Sequence, residues 1–304
     1  MIVIIGGTNI DIIGHAKKGF SYATSNIGNI VYTPGGVGSN IAHNLAKLNI
    51  PVTLFSAVGD DFYGRELIQK NSSFGIDMSH VLVKPNVSTG TYLAILDDKG
   101  ELVCAIANTD ILEYIDVGYL KSRLDIIKQA SFLVCDTNIP KASIEYLVSL
   151  SKLYNIPILV EPVSCEKSKK VLDALDGIFM ITPNFDELCV LNNNKDYIKN
   201  DENIVKLAQN LVKKGVQNVL VTCGPRGVCC VNKDGFIFEN SIKTDVVNVT
   251  GAGDALISGV LYGLYKKLDL HHCIKYGIRA ATITIQSSDT VSCNLNEANI
   301  EKIY

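Results

Sequence analysis

"NVTGAGDALISGVLYGLYKKL" spans residues 248–268. Gly251 and Gly253 flank Ala252, Asp254 follows, and an apolar run begins that predicts a helix over about 252–267. Glycines at those positions let the chain turn tightly and leave its N–H groups uncovered, and the helix adds its positive end. The turn reads as an anion hole. A carboxylate beside such a hole would repel a resting phosphate. Asp254 makes chemical sense as a base that takes the proton from a hydroxyl attacking phosphorus, while the N–H groups stabilise the transferring charge. The other reading of the same octapeptide is an aspartate that merely caps the helix.

Outward from this turn, short apolar β-branched runs alternate with longer amphipathic segments. Strands are predicted at 2–5, 52–58, 131–136, 157–162, 178–182 and 218–223, and helices at about 38–49, 62–74, 141–154, 201–214, 252–267 and 270–286. Continuous apolar strands separated by helices indicate an α/β fold with a parallel sheet covered on both faces, whose ligands bind at the carboxyl ends of the strands. Two regions break the rhythm. Residues 12–33 are polar and glycine-containing, and 89–107 read as a hairpin turning at "DDKG". Paired together, they would make a small sheet that acts as a lid over a cleft; strands merely decorating the main sheet's edge are the alternative. Residues 191–203 read as a polar loop, and no linker divides the 304 residues into two units.

A second glycine turn opens a helix in "PGGVGSNIAHNLAKL" (34–48). Gly35 and Gly36 permit close backbone approach to a ligand, and Asn40 lies on the first helical turn. Together with Asp11, expected at the end of the first strand, they offer a polyol site: a carboxylate gripping two hydroxyls, completed by an amide. In "TCGPRG" (222–227), Thr222, Gly224 and Gly227 are placed to carry a nucleotide's distal phosphates. "NFDE" (184–187) puts Asn184 at a helix start and Glu187 one turn on, where a Mg²⁺ with its waters would reconcile carboxylate and phosphate. The G-x-x-x-x-G-K-[ST] phosphate loop is absent, and "GGVGSN" carries Ile41 where a dinucleotide fingerprint needs glycine.

Composition narrows the class. Net charge is −3 with no basic stripe, which disfavours nucleic-acid binding. Nine cysteines at irregular spacing, without a C-x-x-C pair, read as free thiols in a reducing compartment rather than as a zinc site. The opening "MIVIIGGTNID" lacks a basic region ahead of its apolar run, and no stretch reaches the roughly 18 apolar residues of a bilayer span, so a cytoplasmic protein is expected.

"PGGVGSNIAHNLAKL", "AVGDDFYG" (57–64), "NFDE" and "NVTGAGDA", in that order, resemble the ribokinase-like (PfkB) carbohydrate kinases over nearly the whole chain. The resemblance implies one kinase domain over 1–304, a three-layer α/β/α sandwich with a small β-sheet lid, and ATP and Mg²⁺ as cofactors. It makes Asp254 the base and Gly251, Ala252 and Gly253 the anion hole. It turns Asp11, Gly35, Gly36 and Asn40 toward the sugar, and Asn184, Thr222, Gly224 and Gly227 toward ATP. Further stretches, among them "SNIGNIVYTPGGVGSN", "CDTNIP" and "EPVS", are similar to the pseudouridine kinases of that family. Pseudouridine and ATP are then the expected substrates, with the amide oxygens of Asn9 and Asn138 as acceptors for the base and Thr91 and Leu93 covering it. Three residues depart from the pattern. Ser39 stands where pseudouridine kinases usually have arginine and Glu161 where they have aspartate. Asn248 stands where many members have an aspartate tied to a monovalent cation, which leaves potassium open. Another sugar or nucleoside kinase, or a ligand sensor without catalysis, are the competing readings. A dimer through the lid sheet is the expected assembly.

Overall fold

The computed structural model describes residues 1–193 and 198–302, so residues 194–197 of the expected polar loop lie outside the described residues. Eight strands form the main sheet, in spatial order Gly235–Glu239, Val228–Asn232, Asn218–Thr222, Met180–Ile181, Ile158–Glu161, Phe132–Asp136, Ile2–Ile5 and Val52–Phe55. The six from Asn218–Thr222 to Val52–Phe55 run parallel; the remaining two close one edge antiparallel. Successive side chains of a strand face opposite ways, and here both ways are buried. Val3 and Ile5 join Leu133, Ile158 and Val160 under helices Lys141–Tyr154 and Asp201–Lys213. Ile2 and Ile4 join Leu54, Leu159 and Leu220 under helices Val37–Lys47, Ala252–Tyr265 and Leu270–Ile285. A strand buried on both faces needs apolar residues throughout, which is why these runs do not alternate. The result is a three-layer α/β/α sandwich of the ribokinase-like type.

The predicted strand 52–58 breaks at Ser56: Val52–Phe55 stays in the main sheet, and Ala57–Gly59 pairs with Leu82–Lys84. The edge hairpin of Val228–Asn232 and Gly235–Glu239 was not foreseen.

The second sheet has the order Gly28–Gly35, Asn9–Ala16, Thr91–Leu96, Leu102–Asn108. Its two middle strands are parallel and its outer pairs antiparallel. The two segments that broke the α/β rhythm therefore do pair with each other. One placement is corrected: Asp11 does not end the first strand. The chain leaves the main sheet after Ile5, turns through Gly6–Gly7, and Asp11 lies in the lid strand that starts at Asn9. The nine cysteines form no disulfide, and six of them are buried. No helix among the described residues is long and apolar enough to cross a membrane.

Candidate active site

Gly251 precedes helix Ala252–Tyr265 with φ 79°, a left-handed conformation, and a Cβ there would stand 2.2 Å from the carbonyl oxygen of Thr290. Gly253 faces open space, with nothing within 4 Å of the position a Cβ would take. Ala252 N–H donates to the Val249 carbonyl at 3.3 Å, and no side chain stands over the turn at Gly253. Asp254 is in the first helical turn and makes no cap: the cap position belongs to Gly251, without a side-chain bond. That removes the helix-cap reading. Its Oδ2 instead accepts from Asn40 Nδ2 at 2.8 Å, across the cleft from helix Val37–Lys47. Burial raises the Asp254 carboxyl from 3.8 to about 7; the Asn40 bond opposes the shift and the charges of Asp136 and Asp11 add to it.

On the lid side, Asn9 Nδ2 donates to Asp11 Oδ1 at 2.5 Å. Gly35 is required by this carboxylate, since a Cβ there would meet Asp11 Oδ2 at 2.2 Å. Gly36 has φ 97°, and its Cβ would meet the carbonyl of Gly7 at 2.5 Å and Asn9 Oδ1 at 2.7 Å. Burial lifts Asp11 to about 6, opposed by the bond from Asn9. Asn138 follows strand Phe132–Asp136, and its Oδ1 accepts from Lys167 Nζ at 2.5 Å. A ligand that uses this oxygen as an acceptor shares it with Lys167, and the NH₂ end of Asn138 lies against Gly7 and bonds the Asp136 carboxylate. Ser39 is buried and bonds Asn71 at 3.2 Å, in the contact with helix Phe62–Ser73.

The lid register also revises the residues meant to cover a base. Ile10 pairs with Thr91, Asp11 with Tyr92 and Ile12 with Leu93 in a parallel ladder. Side chains alternate along a strand, so Tyr92 shares the face of Asp11. Thr91 and Leu93 lie on the opposite face with Ile10 and Ile12.

A cavity of about 190 Å³ adjoins the glycine turn, lined among others by Asn184, Glu187, Thr222, Gly253, Glu161 and Val163. Asn184 caps helix Phe185–Leu191, and Asn184 and Glu187 form a reciprocal capping box: Glu187 N–H donates to Asn184 Oδ1 and Asn184 N–H to Glu187 Oε2, each at 2.9 Å. One oxygen of Glu187 is thus committed to the cap. Gly224 and Gly227 turn the chain after Thr222 with φ 61° and 91° and do not line the cavity. Gly227 is there for space, since a Cβ would meet the carbonyl of Glu239 at 2.0 Å. Asn248 bonds the Ser288 carbonyl at 3.1 Å and accepts from Thr250 N–H at 3.0 Å, tying the loop ahead of the anion hole to the end of helix Leu270–Ile285.

Two acidic residues were not placed in the site by the sequence reading: Asp136 went unmentioned, and Glu161 was noted only as a departure from the family pattern. Asp136, at the carboxyl end of "FLVCD", accepts from the N–H groups of Gly7, Gly38 and Asn138. Glu161, at the end of Ile158–Glu161, accepts from Thr182 Oγ1 and from Val163 N–H at 3.3 Å; burial raises its carboxyl far above the usual range. The signal for both was present, an acidic residue closing a buried parallel strand, where ligands of such sheets bind. Val163 itself has φ 65°, and Ser164 N–H donates to the Pro162 carbonyl at 2.7 Å across it. A β-branched residue held in such a turn is strained, and strain of this kind gathers at functional sites.

Among the described residues, no three His, Cys, Asp or Glu side chains come together as a cage for a metal ion. The hard oxygens of Glu161 and Glu187 fit a Mg²⁺ carried by phosphates, met through its water shell.

The pattern of the pfkB family of carbohydrate kinases matches residues 1–297. The chain is 34% identical over 300 residues to the pseudouridine kinase of Escherichia coli strain K12, covering 98% of this chain and 95% of that protein. It is 25% identical over 350 residues to the pseudouridine kinase of Arabidopsis thaliana, covering 95% and 91%. The solved Arabidopsis thaliana ribokinase, complexed with ribose and ATP, is similar with a TM-score of 0.87 at 21% identity, covering 99% and 97%, a likeness of fold. With the family pattern running from the first residue to 297 and the fold shared throughout, this chain belongs to the pfkB family of carbohydrate kinases.

Proposed function

We propose that this kinase transfers the γ-phosphoryl group of ATP to the 5′-hydroxyl of pseudouridine. The observation that carries the chemistry is Asp254, held by Asn40 beside the glycine turn, with its carboxyl raised to about 7. A base tuned near neutrality is matched to abstracting an alcohol proton. Asp254 takes the 5′-hydroxyl proton as that oxygen bonds to the γ-phosphorus, and the bond from phosphorus to the β-phosphate oxygen breaks, leaving ADP. The N–H groups of Gly251, Ala252 and Gly253 meet the charge on the transferring group. Asp11, steadied by Asn9, grips the ribose hydroxyls from the lid, and Asn40, beside Gly35 and Gly36, faces them from below. Asn184 and Thr222 line the phosphate side. Mg²⁺ bound to the phosphates would neutralise their charge; Glu187 and Glu161 are the residues that would hold its waters. An intact base and anion hole leave the sensor reading without support.

The 34% identity to a pseudouridine kinase supports the nucleoside. Asn9 Oδ1 is the polar group left for a base, and Tyr92 is the ring that shares its side of the lid. A turnover panel of pseudouridine, uridine, ribose, fructose and adenosine tests the assignment. The expected kcat/KM preference for pseudouridine over uridine is at least about 10²-fold, since a site built to pair the extra N–H leaves its acceptor unpaired with uridine. Equal turnover of the two, or a preference for a free sugar, overturns the substrate and leaves another kinase of the family.

The lid face opposite Asp11 exposes Ile30 (77%), Tyr32 (55%), Leu93 (37%) and Ile106 (68%), which the register places together. A second copy of the chain covering this face is the proposed assembly. The double variant Ile30→Glu, Ile106→Glu should sediment at half the wild-type mass; a monomeric wild type refutes it.

A further inference from the structure

Asp136 closes strand Phe132–Asp136 and is 1% exposed. Its carboxylate joins three backbone segments. Oδ2 accepts from Gly7 N–H at 2.8 Å and from Gly38 N–H at 3.1 Å, and Oδ1 accepts from Asn138 N–H at 2.9 Å. The surrounding glycines make room for it: a Cβ on Gly6 would stand 2.3 Å from Oδ2, and one on Gly38 would press at 3.0 Å on the Cα of Gly6. Each segment carries part of the cleft. Gly7 leads into Asn9 and Asp11. Gly38 lies between Gly36 and Asn40. Asn138 is itself a cleft residue. Burying a carboxylate is costly, and apolar packing alone would hold a strand end more cheaply. Three charge-assisted bonds to three separate segments give this carboxylate a task that no apolar side chain performs.

We propose that Asp136 is the positioning residue of the site: one buried carboxylate sets the two glycine turns and Asn138 in register, and its charge shapes the field in which Asp254 works. The proposal rests on Asp254 being the base. The charged groups that face Asp254 are Asp136 from its strand, Asp11 from the lid and Glu161 from strand Ile158–Glu161, with Asn40 as hydrogen-bond donor. Asp136 in turn faces Lys167 and Asp254. Burial raises the Asp136 carboxyl too, opposed by the bonds from Gly7, Asn138 and Gly38, and among the carboxyls around the base it is the one held by backbone from both glycine turns.

Asp136→Asn tests both parts. An amide has one acceptor oxygen, so in either orientation its NH₂ confronts at least one of the three N–H groups. A donor left so buried weakens the arrangement by roughly 5- to 150-fold. The KM of the phosphoryl acceptor should rise at least about 5-fold, while the KM of ATP stays unchanged, because Asn184 and Thr222 do not touch Asp136. The acid limb of kcat/KM against pH should move down, because a neutral amide replaces the carboxyl whose charge raises the base. A side chain that only held the core together would lower the Tm and move neither readout. If Asp136→Asn does not fold, Gly6→Ala separates the parts: its Cβ displaces the carboxylate and keeps the charge. Acceptor KM should then rise at least about 5-fold with the acid limb in place; an unchanged KM overturns the proposal. The assays use whichever acceptor the wild type phosphorylates fastest, so an error in the nucleoside does not touch them. A fully active Asp254→Asn would refute the base assignment. A folded Asp136→Asn with wild-type acceptor KM and acid limb would refute this proposal alone.

Discussion

Asp254→Asn keeps the shape of the side chain, leaves an oxygen to accept from Asn40, and removes the proton acceptor. Loss of a general base costs about 10²- to 10⁴-fold in rate, so kcat should fall by that order with little change in ATP affinity. Stability should move the other way. The folded protein raises this carboxyl from 3.8 to about 7, so between those values the native state binds more protons than the unfolded chain, and wild-type stability falls as pH rises. The penalty is absent below about pH 4 and complete above about pH 7. Three units at 1.36 kcal/mol each give about 4 kcal/mol as an upper limit, and relaxation of the site brings the expected gain for Asp254→Asn to about 1–3 kcal/mol at pH 8. Urea unfolding at pH 4.5 and pH 8 reads this directly: the variant should be more stable than wild type at pH 8, and at pH 4.5 the gap should shrink to about a quarter of that. Near-normal turnover in the folded variant would sink the base. A stability difference that ignores pH would sink the account of what raises its carboxyl.

Asn40→Ala removes the bond that holds the Asp254 carboxyl down, so the acid limb of kcat/KM should shift upward and the loss should be larger at pH 6 than at pH 9. With Asp11 raised to about 6 by burial, the KM of the phosphoryl acceptor should rise as pH falls through that value; a flat profile would mean that Asp11 does not grip the ligand as a carboxylate. Replacing lid residues 94–103 with a short glycine turn should raise ATP hydrolysis relative to transfer, because the lid excludes water from the phosphoryl group; an unchanged ratio makes the hairpin ornamental. Val163→Gly relieves left-handed strain of about 1–3 kcal/mol at an entropic cost of about 0.5–1 kcal/mol, so its Tm should not fall; a clear drop would show that the side chain outweighs the backbone there.

The main sheet was legible because its chemistry is one-sided. A strand buried on both faces is apolar along its length, and "IVII", "FLVC" and "ILV" announce this without help from the rest of the chain. The edge hairpin of Val228–Asn232 and Gly235–Glu239 was not legible on those terms. Its outer strand exposes Phe236 and Phe238, so it follows neither a buried run nor an alternation with an obvious inner face. The break at Ser56 escaped for another reason. "VTLFSAV" is apolar but for Thr53 and Ser56, two small hydroxyl residues that strands tolerate, and only the separate pairing of Ala57–Gly59 with Leu82–Lys84 splits it.

In the site, legibility followed the range of the interaction. Gly251, Asp254, Asn184 and Glu187 sit in short turn and cap motifs, so the motifs and the family resemblance singled them out, but the bond that holds Asp254 comes from Asn40, 214 residues away. Thr91 and Leu93 failed because the face a strand residue points to depends on parity, and parity is fixed by pairing with Asp11 and its neighbours some eighty residues away. One position along the ladder separates Tyr92, on the side of the carboxylate, from Leu93, on the exposed apolar side. Asp136 failed for the same physical reason at greater distance: its partners Gly7 and Gly38 lie 129 and 98 residues away in the chain. In a single sequence it is an acid ending an apolar strand, and nothing nearby says what it holds. Its role exists only once the fold brings two glycine turns to one strand end. Where the chemistry is local, sequence names the residue; where a carboxylate works by joining distant backbone, only the assembled sheet shows what it joins.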